Sequence, residues 1–134
     1  PADAERALLL WLNDPANPTG VAADAAQLDR EVAWARGRDI VVASDECYAE
    51  FTFDDQGNAA EPVTALASGM DRVLAVHSLS KRSNMAGLRA GFVAGDVDLV
   101  GYLGEVRKHA GMMLPTPVQA AMAAVQMTRL PLPM

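Results

Sequence analysis

The sequence predicts an α/β fold, a three-layer αβα arrangement around a mostly parallel sheet. Short runs that are apolar at every position recur along the chain, and stretches with apolar residues at helical spacing lie between them. Fully apolar runs are typical of parallel strands, because helices cover both faces of such a sheet. Alternating strands and helices of this kind form right-handed crossover units.

Four strands are predicted, each a short apolar run beside turn-forming residues. They are Ala7–Leu12, Ile40–Ala43, Arg72–His77 and Ala90–Ala94. Ligands of α/β sheets gather beyond the carboxyl ends of the strands. Polar residues that follow these runs are therefore candidates for a functional site.

Helices are predicted between and after the strands. Apolar residues at helical spacing predict a helix over Ala23–Arg36, and Val63–Ser68 is a candidate short helix. Asp96 can cap a helix that runs from about Val97 to His109. A last helix is expected to start near Pro117, because proline suits a first helical turn.

Composition disfavours several classes of protein. The 134 residues fit one domain or part of a larger one, and 51% hydrophobic residues are typical of a globular chain. The net charge of −6 disfavours a nucleic-acid binder. No apolar run approaches the roughly 18 residues of a membrane span, and the first residues lack the pattern of a secretory signal.

Cysteine and histidine usage adds two expectations. Cys47 is the single cysteine, so an internal disulfide is impossible and a reducing cytoplasm is the default compartment. His77 and His109 are the two histidines, and their separation predicts no metal site.

Polar residues follow three successive predicted strands. Asn17 comes after the first strand, Asp45 and Tyr48 after the second, and Ser78 and Lys81 after the third. The carboxyl ends of parallel strands meet at one edge of a sheet, so we expect these side chains to converge there.

Lys81 and the residues around it have the chemistry to bind a phosphorylated aldehyde. A lysine amine that is neutral part of the time can form a Schiff base with an aldehyde. Ser78 and Arg89 offer a hydroxyl and a planar cation to a phosphate, whereas Ser80 contacts either the phosphate or the local backbone. Taken singly, Lys81 and Arg89 are more simply interpreted as exposed surface cations.

The remaining candidates suit an aromatic ring with a basic nitrogen. Asp45 can pair with a protonated ring nitrogen, while Tyr48 and Asn17 can hydrogen-bond a phenolic oxygen. Asn17 is also an ordinary turn residue. Aldehyde, phosphate, pyridinium and phenolate occur together in pyridoxal 5′-phosphate (PLP), whose ring acts as an electron sink.

The motifs in their order resemble those of class I/II aminotransferases, which are fold type I PLP-dependent enzymes. The matching stretches are NPTG (Asn17–Gly20), DECY (Asp45–Tyr48), SLSK (Ser78–Lys81) and GLRAG (Gly87–Gly91). The resemblance covers about Ala7–Val125. Each motif alone is weak, whereas the ordered set is specific.

The resemblance implies a role for each matching residue. Lys81 carries the cofactor and moves the substrate proton, Asp45 keeps the ring nitrogen protonated, and Tyr48 contacts the phenolic oxygen. These three are the implied catalytic residues. The implied cofactor-binding residues are Asn17, Asp45, Tyr48, Ser78, Ser80, Lys81 and Arg89.

The string HSLSKRSNMAGLRAGFVAGD, together with DECYAEF and MLPTPVQAAMA, is most similar to bacterial N-succinyldiaminopimelate aminotransferases of lysine biosynthesis. That similarity implies glutamate as amino donor and N-succinyl-2-amino-6-oxopimelate as acceptor. The competing hypotheses are a different α-aminotransferase, for aromatic or branched-chain amino acids, and a non-catalytic PLP-binding domain. A plain nucleotide-binding domain is disfavoured because the sequence has no GxGxxG or GxxxxGK loop.

The resemblance also implies that residues 1–134 form a partial PLP-binding large domain, without its N-terminal part and its C-terminal small domain. Members of the family complete the site across a homodimer interface. We therefore expect a cytoplasmic homodimer for the full-length enzyme, and little or no activity from the 134-residue chain alone.

Five further residues are given structural interpretations. Trp11 and Trp34 are expected in the core, and Glu46 and Cys47 are expected to face away from the site. His77 either supports the site residues from behind or is a packed strand-end histidine.

Overall fold

A computed structural model describes residues 2–111 and 113–127 of the chain. Its four strands are β1 (Leu9–Asn13), β2 (Val41–Asp45), β3 (Val73–Ser78) and β4 (Gly91–Gly95), arranged in that order. The pairs β1–β2 and β2–β3 are parallel, whereas β3–β4 is antiparallel. The α/β class and the mostly parallel sheet are confirmed.

The helices follow the predicted order. They are α1 (Ala25–Arg36), α2 (Leu79–Arg82), α3 (Val97–Ala110) and α4 (Thr116–Met127). Short 3₁₀ helices span Ala2–Glu5, Ala49–Phe51, Ala65–Ser68 and Ala86–Leu88. The predicted Val63–Ser68 helix is thus a single 3₁₀ turn, which starts after Thr64 because that side chain accepts a hydrogen bond from the Leu66 amide.

Two aspartates fix where the long helices begin. The Asp24 carboxylate accepts a hydrogen bond from the Gln27 amide at the start of α1. Asp96 accepts from the Asp98 and Leu99 amides at the start of α3 and also from the Arg72 amide beside β3. These hydrogen bonds lower the pKa of Asp96, and the bond from the Arg72 amide has the largest effect. Asp96 therefore joins the end of β4 to the beginning of β3.

The buried core lies between α1 and the sheet. Its cluster consists of Val32, Ala35, Ile40, Val42, Ala65 and Val73. Arg36, in the last turn of α1, closes one end of this core by donating hydrogen bonds to the carbonyl oxygens of Ser68, Gly69 and Asp71. The core thereby fixes β2 and β3, the strands whose carboxyl ends bear the candidate site.

The prediction that both tryptophans are core residues is wrong. Trp11 is 55% exposed and Trp34 is 39% exposed. Trp11 lies on β1, an edge strand of the described sheet. Trp34 lies on α1 and lines an open cavity beside Leu10 and Leu12 of β1, and the Arg38 guanidinium packs 4.6 Å from its ring centroid.

None of the helices in residues 2–111 and 113–127 combines the length and the apolar character that crossing a bilayer requires. Within the same ranges, no three His, Cys, Asp or Glu side chains are grouped so that they could hold a metal ion.

Candidate active site

The register of the sheet brings the ends of three strands together. Asn13 at the end of β1 pairs with Asp45 at the end of β2, and Asp45 pairs with Val76 of β3. Ser78 lies two residues beyond Val76 and therefore projects from the same face as Asp45. The Asp14 amide donates to the Asp45 carbonyl oxygen at 3.1 Å, which ties the following loop to this edge.

The NPTG stretch forms a tight turn over that edge. The Asn17 amide donates to Asn13 Oδ1 at 2.9 Å, and the Gly20 amide donates to the Ala16 carbonyl oxygen at 2.7 Å. Gly20 has φ of +72°, a left-handed conformation that glycine adopts without steric cost. The Asn17 residue is exposed in this turn.

An open cleft of about 200 Å³ lies beside this turn. Its walls are Pro15, Ala16, Asn17, Pro18, Gly20, Tyr48 and Phe51. The Lys81 Nζ lies 5.6 Å from the centroid of the Tyr48 ring, so the lysine amine is beside the same cleft. A larger open cavity between β1 and α1 contains none of the predicted site residues in its lining.

Phe51 is a cleft residue that the sequence reasoning missed. Its ring packs edge-on against the Tyr48 ring at a centroid distance of 6.3 Å, and 44% of the residue is exposed. A large apolar residue three positions after Tyr48 was the available signal, because the 3₁₀ turn Ala49–Phe51 returns that side chain towards the cleft.

Asp45 is half-buried at the end of β2, and its Oδ1 accepts a hydrogen bond from the Cys47 amide at 3.2 Å. Burial, followed by the hydrogen bond and the charge of Asp45, raises the pKa of the Cys47 thiol to about 12. Cys47 therefore stays a neutral thiol near pH 7.

Ser78 and Lys81 are positioned by the short helix α2. The Ser78 Oγ accepts a hydrogen bond from the Ser80 amide at 3.1 Å and so caps the helix. Its hydroxyl hydrogen can still be donated to a ligand. Lys81 lies within this single turn and is exposed, so its amine is accessible.

Arg89 has an unusual backbone conformation. Its φ of +52° is left-handed, which is uncommon for residues other than glycine, and its Nη1 donates to the Ala86 carbonyl oxygen at 2.9 Å. Strained backbone conformations often occur at functional sites. The exposed guanidinium retains further donors for an anion.

Gly91, the last residue of GLRAG, pairs with Ser78 across the antiparallel β3–β4 ladder. A Cβ atom at this position would lie 2.5 Å from the His77 carbonyl oxygen. The glycine is therefore required by the close approach of β4 to the strand end that bears Ser78.

Comparisons with known proteins agree with the family that the strand-end motifs resemble. The family described as Aminotransferase class I and II matches residues 2–130. A probable aminotransferase of Mycobacterium tuberculosis is 53% identical over 121 residues, which cover 87% of this chain and 28% of that protein. The 4-dedimethylamino-4-oxo-anhydrotetracycline transaminase of Streptomyces rimosus is 49% identical over 126 residues, covering 90% of this chain and 34% of that protein.

A more distant relative is the LL-diaminopimelate aminotransferase of Syntrophobacter fumaroxidans, 36% identical over 110 residues that cover 81% of this chain and 28% of that protein. The solved apo structure of BacF from Bacillus subtilis matches with a TM-score of 0.81 at 34% identity, over 94% of this chain and 33% of that one. The chain thus spans about a third of the length of these relatives. With a family match over nearly its whole length, the chain belongs to the class I and II aminotransferases.

Proposed function

We propose that the protein catalyses PLP-dependent transamination and that this chain supplies part of the PLP-binding large domain. The observation that supports it most directly is the position of Lys81, whose amine lies 5.6 Å from the Tyr48 ring beside the cleft that Asn17 also lines. The family is PLP-dependent. An accessible lysine amine beside a tyrosine ring suits covalent attachment of an aromatic aldehyde.

The residues of this chain fit the remaining groups of PLP. Asp45 offers a carboxylate to the ring nitrogen from the same face as Ser78. Ser78 keeps a hydroxyl donor for the phosphate, and Arg89 keeps guanidinium donors for it. Ser80 contacts the phosphate or remains bonded locally.

When bound, PLP supplies an electron sink for the charge that develops at the substrate Cα. Lys81 would attach the cofactor through its amine, and the free amine would take the substrate Cα proton and later return a proton, as general base and acid. Asp45 favours the protonated ring nitrogen by its charge. Tyr48 and Asn17 orient the phenolic oxygen by hydrogen bonding.

For the substrates, we propose glutamate as amino donor and N-succinyl-2-amino-6-oxopimelate as acceptor. The sequence of the Lys81 motif supports this acceptor. The relative named LL-diaminopimelate aminotransferase supports a substrate related to diaminopimelate, but its name carries no succinyl group. The relative named for a tetracycline intermediate, at 49% identity, favours a different acceptor class. The rival hypotheses are an aromatic or branched-chain keto acid as acceptor and a non-catalytic PLP-binding role.

We also propose that the full-length enzyme is a cytoplasmic homodimer. The single cysteine of this chain supports a reducing compartment. Sedimentation velocity of the full-length protein tests the dimer, and a monomer under conditions of full activity would contradict it.

A single-turnover experiment tests the activity. Full-length protein loaded with PLP is mixed with glutamate, and 2-oxoglutarate is quantified per subunit. We expect close to one equivalent from the native protein and none from Lys81→Arg, which keeps the positive charge but cannot attach the aldehyde. The absence of keto acid with any amino donor, or equal amounts from both proteins, would contradict the proposal. A panel of keto-acid acceptors then distinguishes the acceptor classes by kcat/KM.

A further inference from the structure

Glu46 is a buried carboxylate that the proposed mechanism does not use. It directly follows Asp45 and is 2% exposed. Its Oε1 accepts hydrogen bonds from the Thr64 hydroxyl at 3.0 Å and from the Ala65 amide at 2.9 Å. Burying a carboxylate is costly unless hydrogen bonds or a cation compensate for the lost hydration. These two hydrogen bonds offset part of that cost.

The second oxygen of Glu46 faces a histidine. Within the described part of the chain Oε2 accepts no hydrogen bond, and His77 Nε2 lies 3.4 Å from it, within ion-pair distance. The His77 ring is itself fixed, because it stacks on Phe92 with a centroid distance of 4.9 Å and an interplanar angle of 23°. Through these contacts Glu46 joins the end of β2 to β3, to β4 and to the Ala65–Ser68 turn.

The contact lies behind the candidate site. Side chains alternate along β3, so His77 projects from the face opposite to Ser78. Asp45, which is in register with Val76, shares the face of Ser78. The Glu46 side chain contacts His77 on the face opposite to Asp45 and Ser78. This agrees with the expectation that Glu46 faces away from the site. Each member of the pair is thus the chain neighbour of a proposed cofactor ligand.

We propose that Glu46 and His77 form a positioning pair that sets the spacing between Asp45 and Ser78. This inference rests on the proposed function, in which Asp45 and Ser78 bind opposite ends of one small ligand. A site of that kind must hold its groups within about 0.5 Å, which requires support for the side chains and strand ends that carry them. Both side chains lie on the face of the sheet opposite to Asp45 and Ser78, so their effect is on geometry.

Two near-isosteric substitutions remove the contact from either side. Glu46→Gln keeps an oxygen that can accept from Thr64 and Ala65 but replaces the carboxylate oxygen that faces His77. His77→Phe keeps an aromatic ring against Phe92 but loses Nε2. Glu50→Gln is the matched control, because Glu50 is an exposed carboxylate in an ion pair with Arg82 at 3.2 Å.

The PLP dissociation constant of each full-length apoprotein is measured by fluorescence titration at low temperature, together with its thermal unfolding midpoint. We expect Glu46→Gln and His77→Phe each to weaken PLP binding about tenfold, as residues that orient ligand side chains do elsewhere. The double variant should bind PLP no more weakly than the weaker single variant, because both changes break one contact. Glu50→Gln should bind like the native protein.

Unchanged PLP affinity in both single variants would overturn the inference, even with lowered unfolding midpoints, because the pair would then be structural alone. Losses that multiply in the double variant would also overturn it. A native apoprotein that binds no PLP would contradict the proposed function, and this inference with it.

Discussion

Replacing Arg89 by glycine and by alanine separates backbone strain from the loss of the guanidinium. Both variants lose the hydrogen bond to the Ala86 carbonyl oxygen and the proposed phosphate contact, whereas only glycine relieves the left-handed conformation at φ of +52°. That conformation costs a residue with a Cβ about 1–2 kcal/mol. The greater freedom of glycine in the unfolded chain offsets about 0.5–1 kcal/mol of the gain.

Arg89→Gly should therefore exceed Arg89→Ala in free energy of unfolding by about 0.7 kcal/mol, within a span of about 0–1.5 kcal/mol. Urea denaturation of the apoproteins, fitted with a common slope, measures this difference. Both variants should weaken PLP binding by about 10- to 100-fold, the contribution of a hydrogen bond to a charged group. A lower free energy of unfolding for Arg89→Gly than for Arg89→Ala would refute the backbone argument, and unchanged PLP affinity would refute the phosphate assignment.

Four further predictions concern the same strand ends. Gly91→Ala should destabilise the protein by about 1–3 kcal/mol in urea, because its Cβ would meet the His77 carbonyl oxygen, whereas Gly87→Ala has open space and should not. Ser44→Ala should raise the free energy of unfolding by about 1 kcal/mol, since the fully buried Ser44 hydroxyl has no hydrogen-bond partner in the described part of the chain; a clear loss would contradict this. Cys47 should resist iodoacetamide at pH 8 until the protein is unfolded, and rapid labelling of the native protein would contradict its raised pKa. Asp45→Asn should leave PLP bound but strongly slow 2-oxoglutarate formation from glutamate, and an unchanged rate would contradict its role.

The Cys47 thiol also predicts a pH dependence of stability. Its pKa is raised from 9.0 to about 12 in the folded protein, so the folded state retains the proton that the unfolded chain releases. The contribution of Cys47 is therefore complete below pH 9 and is lost as the pH rises from 9 towards 12. Urea denaturation of the native protein and of Cys47→Ala across this range should show a smaller decline for the variant, and parallel declines would contradict the assignment.

The sequence predicted the elements well where local chemistry decides them. Apolar runs located the strands to within a few residues, and Asp96 marked the start of α3, because capping and hydrophobic periodicity act over a few residues. The antiparallel direction of β4 was not predicted, since it depends on how the Arg89 turn reverses the chain.

Burial was harder to predict than secondary structure. Residue type alone predicts a core position for Trp11 and Trp34, but the edge position of β1 and the place of Trp34 on α1 leave both side chains partly exposed. Glu46 shows the converse: nothing in the string DECY reveals that its carboxylate is buried against Thr64 and His77, because those partners lie in other segments. The candidate site residues at the strand ends are predictable from sequence, because the carboxyl ends of parallel strands lie at one edge of the sheet.

Covalent trapping tests the central claim most directly. The purified protein is incubated with PLP, reduced with borohydride, digested, and searched for the pyridoxyl mass on lysine peptides. Lys81 and Lys108 are the lysines of this chain, and Lys108 lies on α3, in an ion pair with Glu105 at 3.4 Å. Selective label on Lys81, lost in Lys81→Arg, is the predicted result. Equal label on Lys108, or an unlabelled Lys81, would contradict the assignment of this strand edge as the cofactor site.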